Sequence, residues 1–449
     1  MSPSIVAVLL GTFTLRFSTG LTGALLIYYL ERLHTFGGPQ VGAAVVGVMT
    51  ATYFLAELVL SPFFGLLSDR FGAHRIMQVG PIFGAVAVVA TVLTTDLVLL
   101  GGTRWLEGSA AAASIPSILG FLAMATSGDE LLRGRAVTRF EAATLAGLGI
   151  GVVAAGPLFE VFGRTAFLLN AVVYLVSLAI YRYGVRDVDI VAAERTGAPD
   201  EGAPPARRRI DLGRYRRILG GSKVWLLAPT WIALNAIVGA WSTQSIFQLV
   251  AEPRLGFEDQ VLMGGFGRVQ VSIGLAGALV VFFAGLAYWG NRFKSLRRTS
   301  IIGIGIGGGL AMIAAVVGIN HSGGWPGAVQ VVLGVAAAAG LFVLAGATPA
   351  ALGLLADISE GHPHDRGAIM GLYSVFLGVG QITGSLLSGG AAQIFGLDGL
   401  LGASTGLLVI ALLPLGRLRA SEHQLEVAEA AAEARLAAEP PLPMREPGS

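Results

Sequence analysis

The sequence predicts an all-α polytopic membrane protein, with twelve transmembrane helices in two pseudo-symmetric six-helix bundles. Three observations carry this expectation. Hydrophobic residues make up 54% of the 449-residue chain and charged residues only 13%, too little polar surface for a water-soluble fold. Apolar runs of about 20 residues recur along the chain, each long enough to cross a bilayer core as a helix, which satisfies its own backbone in lipid. The chain also repeats itself. Pro116-Ser117-Ile118-Leu119-Gly120-Phe121-Leu122-Ala123 matches Pro349-Ala350-Ala351-Leu352-Gly353-Leu354-Leu355-Ala356 at a displacement of 349 − 116 = 233. The same displacement pairs Gly128 with Gly361, Arg133 with Arg366, Gly134 with Gly367, Gly147 with Gly380, Gly151 with Gly384, Gly156 with Gly389 and Phe162-Gly163 with Phe395-Gly396. Pro, Arg and Phe in one ungapped register indicate a duplication rather than chance matches between Gly/Ala-rich helices.

The twelve spans fall at about 5–30, 40–67, 76–94, 97–121, 137–158, 165–184, 223–249, 261–288, 299–318, 326–352, 367–391 and 398–416. The first follows Met1 almost directly, is too long for a signal-peptide h-region and lacks a basic n-region, so no cleavable signal is expected. With the N-terminus in the cytoplasm, only Arg32, Arg164 and Arg254 fall in external loops, and most other basic residues lie inside, as the positive-inside bias requires. Both termini are therefore expected in the cytoplasm, and the chain in the inner (plasma) membrane. Tyr28 and Tyr29 suit the external interface. This divides the chain into an N-terminal bundle (1–185), a basic cytoplasmic linker (186–222), a C-terminal bundle (223–416) and a tail (417–449) that is partly helical, then Pro-rich and disordered. The linker's Arg207-Arg208-Arg209 cluster can touch anionic lipid, at about 1 kcal/mol per charge near the surface.

Between the second and third spans lies Gly65-Leu66-Leu67-Ser68-Asp69-Arg70-Phe71-Gly72-Ala73-His74-Arg75. Small residues let helix ends approach, Asp69 can bond to a neighbouring helix terminus, and Arg70 and Arg75 mark the cytoplasmic side. The stretch resembles the short loop joining the second and third helices of major facilitator superfamily transporters, with pattern Gly-x-Leu-x-Asp-Arg-x-Gly. The resemblance implies the twelve-helix fold, alternating access, and a gate in which Gly65, Asp69, Arg70, Gly72 and Arg75 take part. A decayed copy, Gly285-Leu286-Ala287-Tyr288-Trp289-Gly290-Asn291-Arg292, has Trp289 in place of the acidic residue, so the stronger gate is expected in the first half.

Ionisable groups inside spans are costly and mark function by default. Arg104-Trp105-Leu106-Glu107-Gly108-Ser109-Ala110-Ala111-Ala112 is similar to the family's Arg-x-x-x-Gly-x-x-x-Ala pattern, which implies proton coupling through Arg104; Glu107, one turn later, can partner it or lock the helix with it. Arg16, Glu57 and Arg268 also sit within spans. Glu57 is the leading proton-carrying candidate, with a fixed pair to Arg16 as the competing role. Arg16 can meet an anionic substrate or a carboxylate, and Arg268 either acts in the cavity or snorkels outward. Gly147-Leu148-Gly149-Ile150-Gly151 and Gly156-Pro157 resemble the glycine-rich motif of drug:proton antiporters, although Phe159 and Glu160 stand where two further glycines are usual. Tyr53, Asn235, Trp241, Gln244, Gln248 and Gln270 are candidates to line the cavity or to bond between helices.

Other chemistry finds no support. Gly303-Ile304-Gly305-Ile306-Gly307-Gly308-Gly309 lacks the strand–turn–helix context of a dinucleotide site, and His362-Pro363-His364-Asp365 reads as a solvated turn. Cysteine is absent, and no Walker sequence, nucleophile elbow or zinc-hydrolase helix occurs. No enzyme activity, cofactor, metal or nucleic-acid partner is expected; the expected partners are a small-molecule substrate, protons and membrane lipids, with the chain monomeric. The sequence thus points to a secondary transporter exporting small amphipathic or hydrophobic compounds against protons. A proton-coupled importer of a small organic anion, a lipid or lysolipid translocase, and a non-transporting receptor or scaffold stay open.

Overall fold

The computed structural model describes residues 1–127, 129–186, 224–252, 255–293, 295–360 and 366–420, with side chains at all of these except 130, 224, 356–360 and 366–373. The expected linker beyond residue 186, the tail beyond 420, Arg254 and the His362–Asp365 turn lie outside the described residues. Within them the chain is helical throughout: α1 (Pro3–Glu31), α2 (Ala43–Phe71), α3 (Ala73–Ile76), α4 (Val79–Val92), α5 (Leu97–Ala125), α6 (Glu130–Phe162), α7 (Ala166–Gly184), α8 (Val224–Val250), α9 (Arg268–Arg292), α10 (Arg298–Asn320), α11 (Gly327–Leu344), α12 (Ala347–Glu360), α13 (Arg366–Phe395) and α14 (Leu397–Leu412). These form eleven continuous apolar stretches among the described residues. One of them, Leu131–Gly184, is 54 residues long. As a straight helix it would reach about 80 Å, far beyond a hydrocarbon core of about 30 Å. It is broken at Gly163, whose φ of 54° suits glycine, into α6 and α7, which makes twelve crossings.

Several boundaries differ from the sequence expectation, each for a local reason. The Gly65–Arg75 stretch is not mostly loop: α2 runs on through Phe71, and the chain turns only at Gly72, where φ is 91°. α6 starts at Glu130 because Asp129 caps it, its side chain accepting the Leu132 N–H at 2.9 Å. α9 starts at Arg268 rather than near 261, because left-handed glycines at 256, 264 and 265 fold the preceding loop back. There the Gly264 N–H reaches the Gln248 carbonyl at 2.7 Å, and the Val261 N–H reaches that of Asn320 at 2.8 Å. In the same loop the Gly256 N–H holds the Glu258 carboxyl below its usual pKa. The repeat counterparts Pro116 and Pro349 also part company. α5 passes through Pro116, whereas α11 and α12 separate at residues 345–346, where the Pro349 ring opposes the carbonyl of residue i−4. Trp289 packs its ring on Gly346 and donates its indole N–H to the Phe342 carbonyl at 3.1 Å. The decayed motif has become a packing residue.

The duplication is visible in the contacts. Gly147 and Gly151 of α6 bring α1 in at Phe13–Arg16 and Phe17–Leu21, while Gly20 of α1 meets the Leu148 carbonyl. In the second half Gly380 and Gly384 of α13 bring α8 in at Ile232–Asn235 and Ala236. A Cβ at these glycines would run into opposing backbone, so the helices approach more closely than any larger residue allows. The third glycine of each set faces the other bundle: Gly156 lies against Arg268 and Ser272 of α9, and Gly389 against Ala43 and Gly47 of α2.

Those cross-bundle contacts lie toward one end. α2 meets α13 from Gly42–Gln393 through Gly47–Ser385 to Leu58–Gly378. α6 meets α9 at Gly156 and at Gly149–Leu279. The N-terminal core takes in Ile246, Phe247, Val250, Ala251, Val271 and Ala392 of the second half, all near this end. Asp69 lies about 16 Å further along α2 than Leu58, at 1.5 Å per residue, toward the opposite end. Among the described residues the bundles are therefore sealed at the end that carries the α1–α2 turn and make no such contact at the end that carries Gly72, the parted end. Tyr28 and Tyr29, expected at a wet interface, are instead buried in the sealed end, Tyr29 donating its hydroxyl to the Thr94 carbonyl at 2.9 Å.

Gly151→Leu should force α1 from α6 and cost about 1–3 kcal/mol by overpacking, read as a lower unfolding midpoint in detergent. Gly101→Ala, where a Cβ meets nothing within 4 Å, should be neutral or stabilising by about 0.5–1 kcal/mol.

Candidate functional site

Arg104 is buried inside the N-terminal bundle on α5. Its guanidinium pairs with Glu107 one turn on and lies 4.8 Å from the centre of the Tyr53 ring. Gly108 allows this arrangement, since α2 runs against it at Tyr53 and Ala56. Thr22 of α1 and Tyr174 of α7 stand beside Glu107, and Asn170 of α7 donates to Thr22 at 2.7 Å. With Arg104 7% and Glu107 4% exposed, the pair is sealed among four helices rather than presented to the space between the bundles.

Arg16 is placed differently. It lies on the α1 face that Gly147 brings against α6, and is half-buried. Glu57 of α2 and Glu141 of α6 share its electrostatic environment, as do the phenols of Tyr53 and Tyr181. Among the described residues no carboxylate comes within 4.0 Å of Arg16, so one cation faces two carboxylates without a closed ion pair. Glu57 is half-buried and Glu141 exposed. Glu141 is absent from the sequence-derived candidates; an acidic residue inside the apolar part of the fifth span was the available signal. Across the repeat, Asn235 occupies the position of Arg16, packed by Gly380 as Arg16 is by Gly147. Its side chain donates to the Trp231 carbonyl of its own helix at 2.9 Å. The charge is thus confined to the first half.

The other candidates are dispersed. Trp241 donates its indole N–H to Ser404 of α14 at 2.9 Å. Gln244 is fully buried and donates across the bundles to the Ala43 carbonyl at 3.0 Å, with Gln248 donating to it at 3.3 Å. Gln270 is exposed and caps α9, its side-chain oxygen accepting the Gly267 N–H at 2.9 Å. Gly65, Asp69 and Arg70 lie in the last two turns of α2, with Gly72 and Arg75 just beyond; Asp69 and Arg70 are exposed at the parted end, and Asp69 has no ion pair among the described residues. Pro157 continues α6 past Gly156. Arg268 does not snorkel outward. It donates to Glu31 of α1 at 3.0 Å and to Glu160 of α6 at 3.1 Å, with its guanidinium 5.4 Å from the Phe159 ring centre.

Comparison with known proteins agrees with this architecture. The family model described as Major Facilitator Superfamily matches residues 8–344. The chain is 24% identical over 275 residues to Multidrug resistance protein 1 of Bacillus subtilis (strain 168), covering 61% of this chain and 64% of that one. It is 32% identical over 199 residues to the Lysophospholipid transporter LplT of Yersinia pestis (strain Pestoides F), 44% of this chain and 45% of that one. The alignments thus span less than two thirds of these curated relatives. Among solved structures, the nucleoside transporter NupG superposes with a TM-score of 0.67 at 13% identity over 94% of this chain and 99% of that one. A bacterial homolog of the human lysosomal transporter Spinster, inward-facing and unoccupied, gives a TM-score of 0.66 at 12% identity over 94% and 98%. At such identities the likeness is one of fold. The matched family model and the twelve crossings in two equivalent bundles lead to one conclusion: the chain belongs to the major facilitator superfamily, whose members are membrane transporters.

Proposed function

We propose that the protein is a proton-coupled exporter of small amphipathic or hydrophobic compounds, working by alternating access in the plasma membrane with both termini in the cytoplasm. The observation that carries this reading is the grouping of Arg16 on α1 with Glu57 of α2 and Glu141 of α6 as electrostatic neighbours, with neither carboxylate closed onto it. Two carboxylates opposite one guanidinium carry one surplus negative charge when ionised. A proton on either carboxyl cancels it, and so does a bound lipophilic cation, which makes occupancy by the two mutually exclusive. The second half, neutral at Asn235, supplies apolar wall without a competing charge. An anionic substrate at Arg16 would also feel the charges of Glu57 and Glu141, which weighs against the organic-anion importer.

Orientation follows from charge. The parted end carries Arg70, Arg75, Arg133, Arg135, Arg139, Arg182, Arg292, Arg297, Arg298, Arg417 and Arg419, and the sealed end Arg32, Arg164 and Arg268, so the parted end is cytoplasmic. The structure is then an inward-facing state, with Asp69 and Arg70 free to engage when the cytoplasmic ends close. A lysolipid translocase is the second reading, favoured by the identity to the Yersinia lysophospholipid transporter.

In liposomes carrying a pH gradient, wild-type protein should accumulate lipophilic cationic dyes in an uncoupler-sensitive manner. Glu57→Gln or Glu141→Gln should reduce the gradient-driven component by roughly 10-fold or more, the scale of a lost proton-transfer group, while Asn235→Ala changes it little. Accumulation of labelled lysophospholipid but no dye by folded protein would replace the exporter with the translocase. Arg104→Gln should cost about 3–5 kcal/mol by stranding the buried Glu107. Arg104→Gln/Glu107→Gln should recover part of that loss in a detergent unfolding assay.

A further inference from the structure

We propose that Arg268 is the latch of the external gate: one guanidinium from the second bundle, held by two carboxylates of the first, keeps the external end shut in the inward-facing state. This rests on the alternating-access reading above but on neither its substrate nor its coupling ion. The latch is assembled by backbone geometry. Gly156 lets the α9 backbone at Arg268 and Ser272 lie directly on α6, where any Cβ would strike the Arg268 carbonyl and the Ser272 hydroxyl. Three and four residues further along α6, on the same helix face, Phe159 presents its ring 5.4 Å from the guanidinium and Glu160 its carboxylate at 3.1 Å. From the last turn of α1, Glu31 completes the clamp at 3.0 Å. Phe159 and Glu160 are the two positions at which the glycine-rich pattern of the fifth span is broken. The break supplies the contacts.

The chemistry suits a latch that must also open. A guanidinium offers separate N–H edges, so Nη1 can serve Glu160 while Nη2 serves Glu31, which a lysine ammonium cannot match in geometry. The two pairs are unequal. The side chains of Arg268 and Glu31 are 10% and 9% exposed, so that pair is desolvated, whereas Glu160 is 53% exposed and its attraction is screened by water and salt. Opening the external end draws α9 away from α1 and α6 and breaks both pairs together. Glu31 then carries most of the closing force, and Glu160 guides Arg268 back.

The chain contains no cysteine, so spin labels at Thr35→Cys and Trp325→Cys report the distance across the external end without removal of native thiols. Both positions are exposed, one on each bundle. In nanodiscs, with no substrate and no gradient, wild type should show a dominant short distance and a minor long one. Arg268→Gln and Glu31→Gln should each raise the long-to-short ratio by roughly 10-fold or more, as expected for breaking a desolvated pair. Glu160→Gln should raise it by less than about 5-fold, the ceiling of an exposed pair. Arg268→Lys keeps the charge, serves where the Gln variant fails to fold, and should lie between. Unchanged distributions in Glu31→Gln and in whichever Arg268 variant folds would overturn the latch. A wild type that shows only the short distance under every condition, with the variants equally fixed, would count against alternating access itself.

Discussion

Close backbone approach at glycine is the constraint on which this structure rests. Lipid tails are as apolar as leucine, so helices in a bilayer gain little from burying apolar side chains and associate through packing and polar contacts instead. Gly147 and Gly151 admit α1 to α6, and Gly380 and Gly384 admit α8 to α13. The third member of each set, Gly156 or Gly389, is turned to the other bundle, against α9 or α2. One ladder of small residues therefore builds each half and joins the halves. Among the described residues these joints lie toward one end of the molecule.

Where backbones pack this tightly, any charge inside the bundles has to be accounted for. Arg104 and Glu107 pair with each other beside the Tyr53 ring. Arg16 has two carboxylates near it and is paired with neither. Arg268 is held between bundles by two carboxylates at 3.0 and 3.1 Å. These are three treatments of an arginine: sealed, left without an ion pair, and shared across the boundary between the bundles. In the second half Trp289, docked on Gly346, stands where the first half has Asp69. The second half has Asn235 in place of Arg16, satisfied by its own helix. The asymmetry of function proposed for the halves thus has a physical counterpart in which one carries charge and the other packs.

Much of the fold was legible in the chain because hydropathy is a property of local composition. The twelve crossings needed only the length of each apolar run. The 233-residue displacement already paired the glycines that prove equivalent in space. The ends of elements were less legible. α2 outruns its apolar run because nothing stops a helix before the left-handed Gly72, and α9 starts late because three left-handed glycines fold the chain back before Arg268. Among the site candidates, Arg104 and Glu107 are joined by a one-turn spacing that any helix enforces. Gln270 and Gln244 read alike as polar residues near a cavity, yet one caps its own helix and the other bonds across the bundles, because that choice depends on which backbone groups lie opposite.

The sequence by itself determined the membrane as solvent, the number of crossings, the duplication and the family, since each follows from composition, periodicity or a motif carried along one stretch of chain. Only the tertiary structure decided which end is sealed, that Arg16 stands among Glu57 and Glu141, and that Arg268 reaches back to Glu31 and Glu160. Those relations join residues up to 237 positions apart. They arise where helices from different parts of the chain meet at glycine, and no local pattern records which helix will be the neighbour.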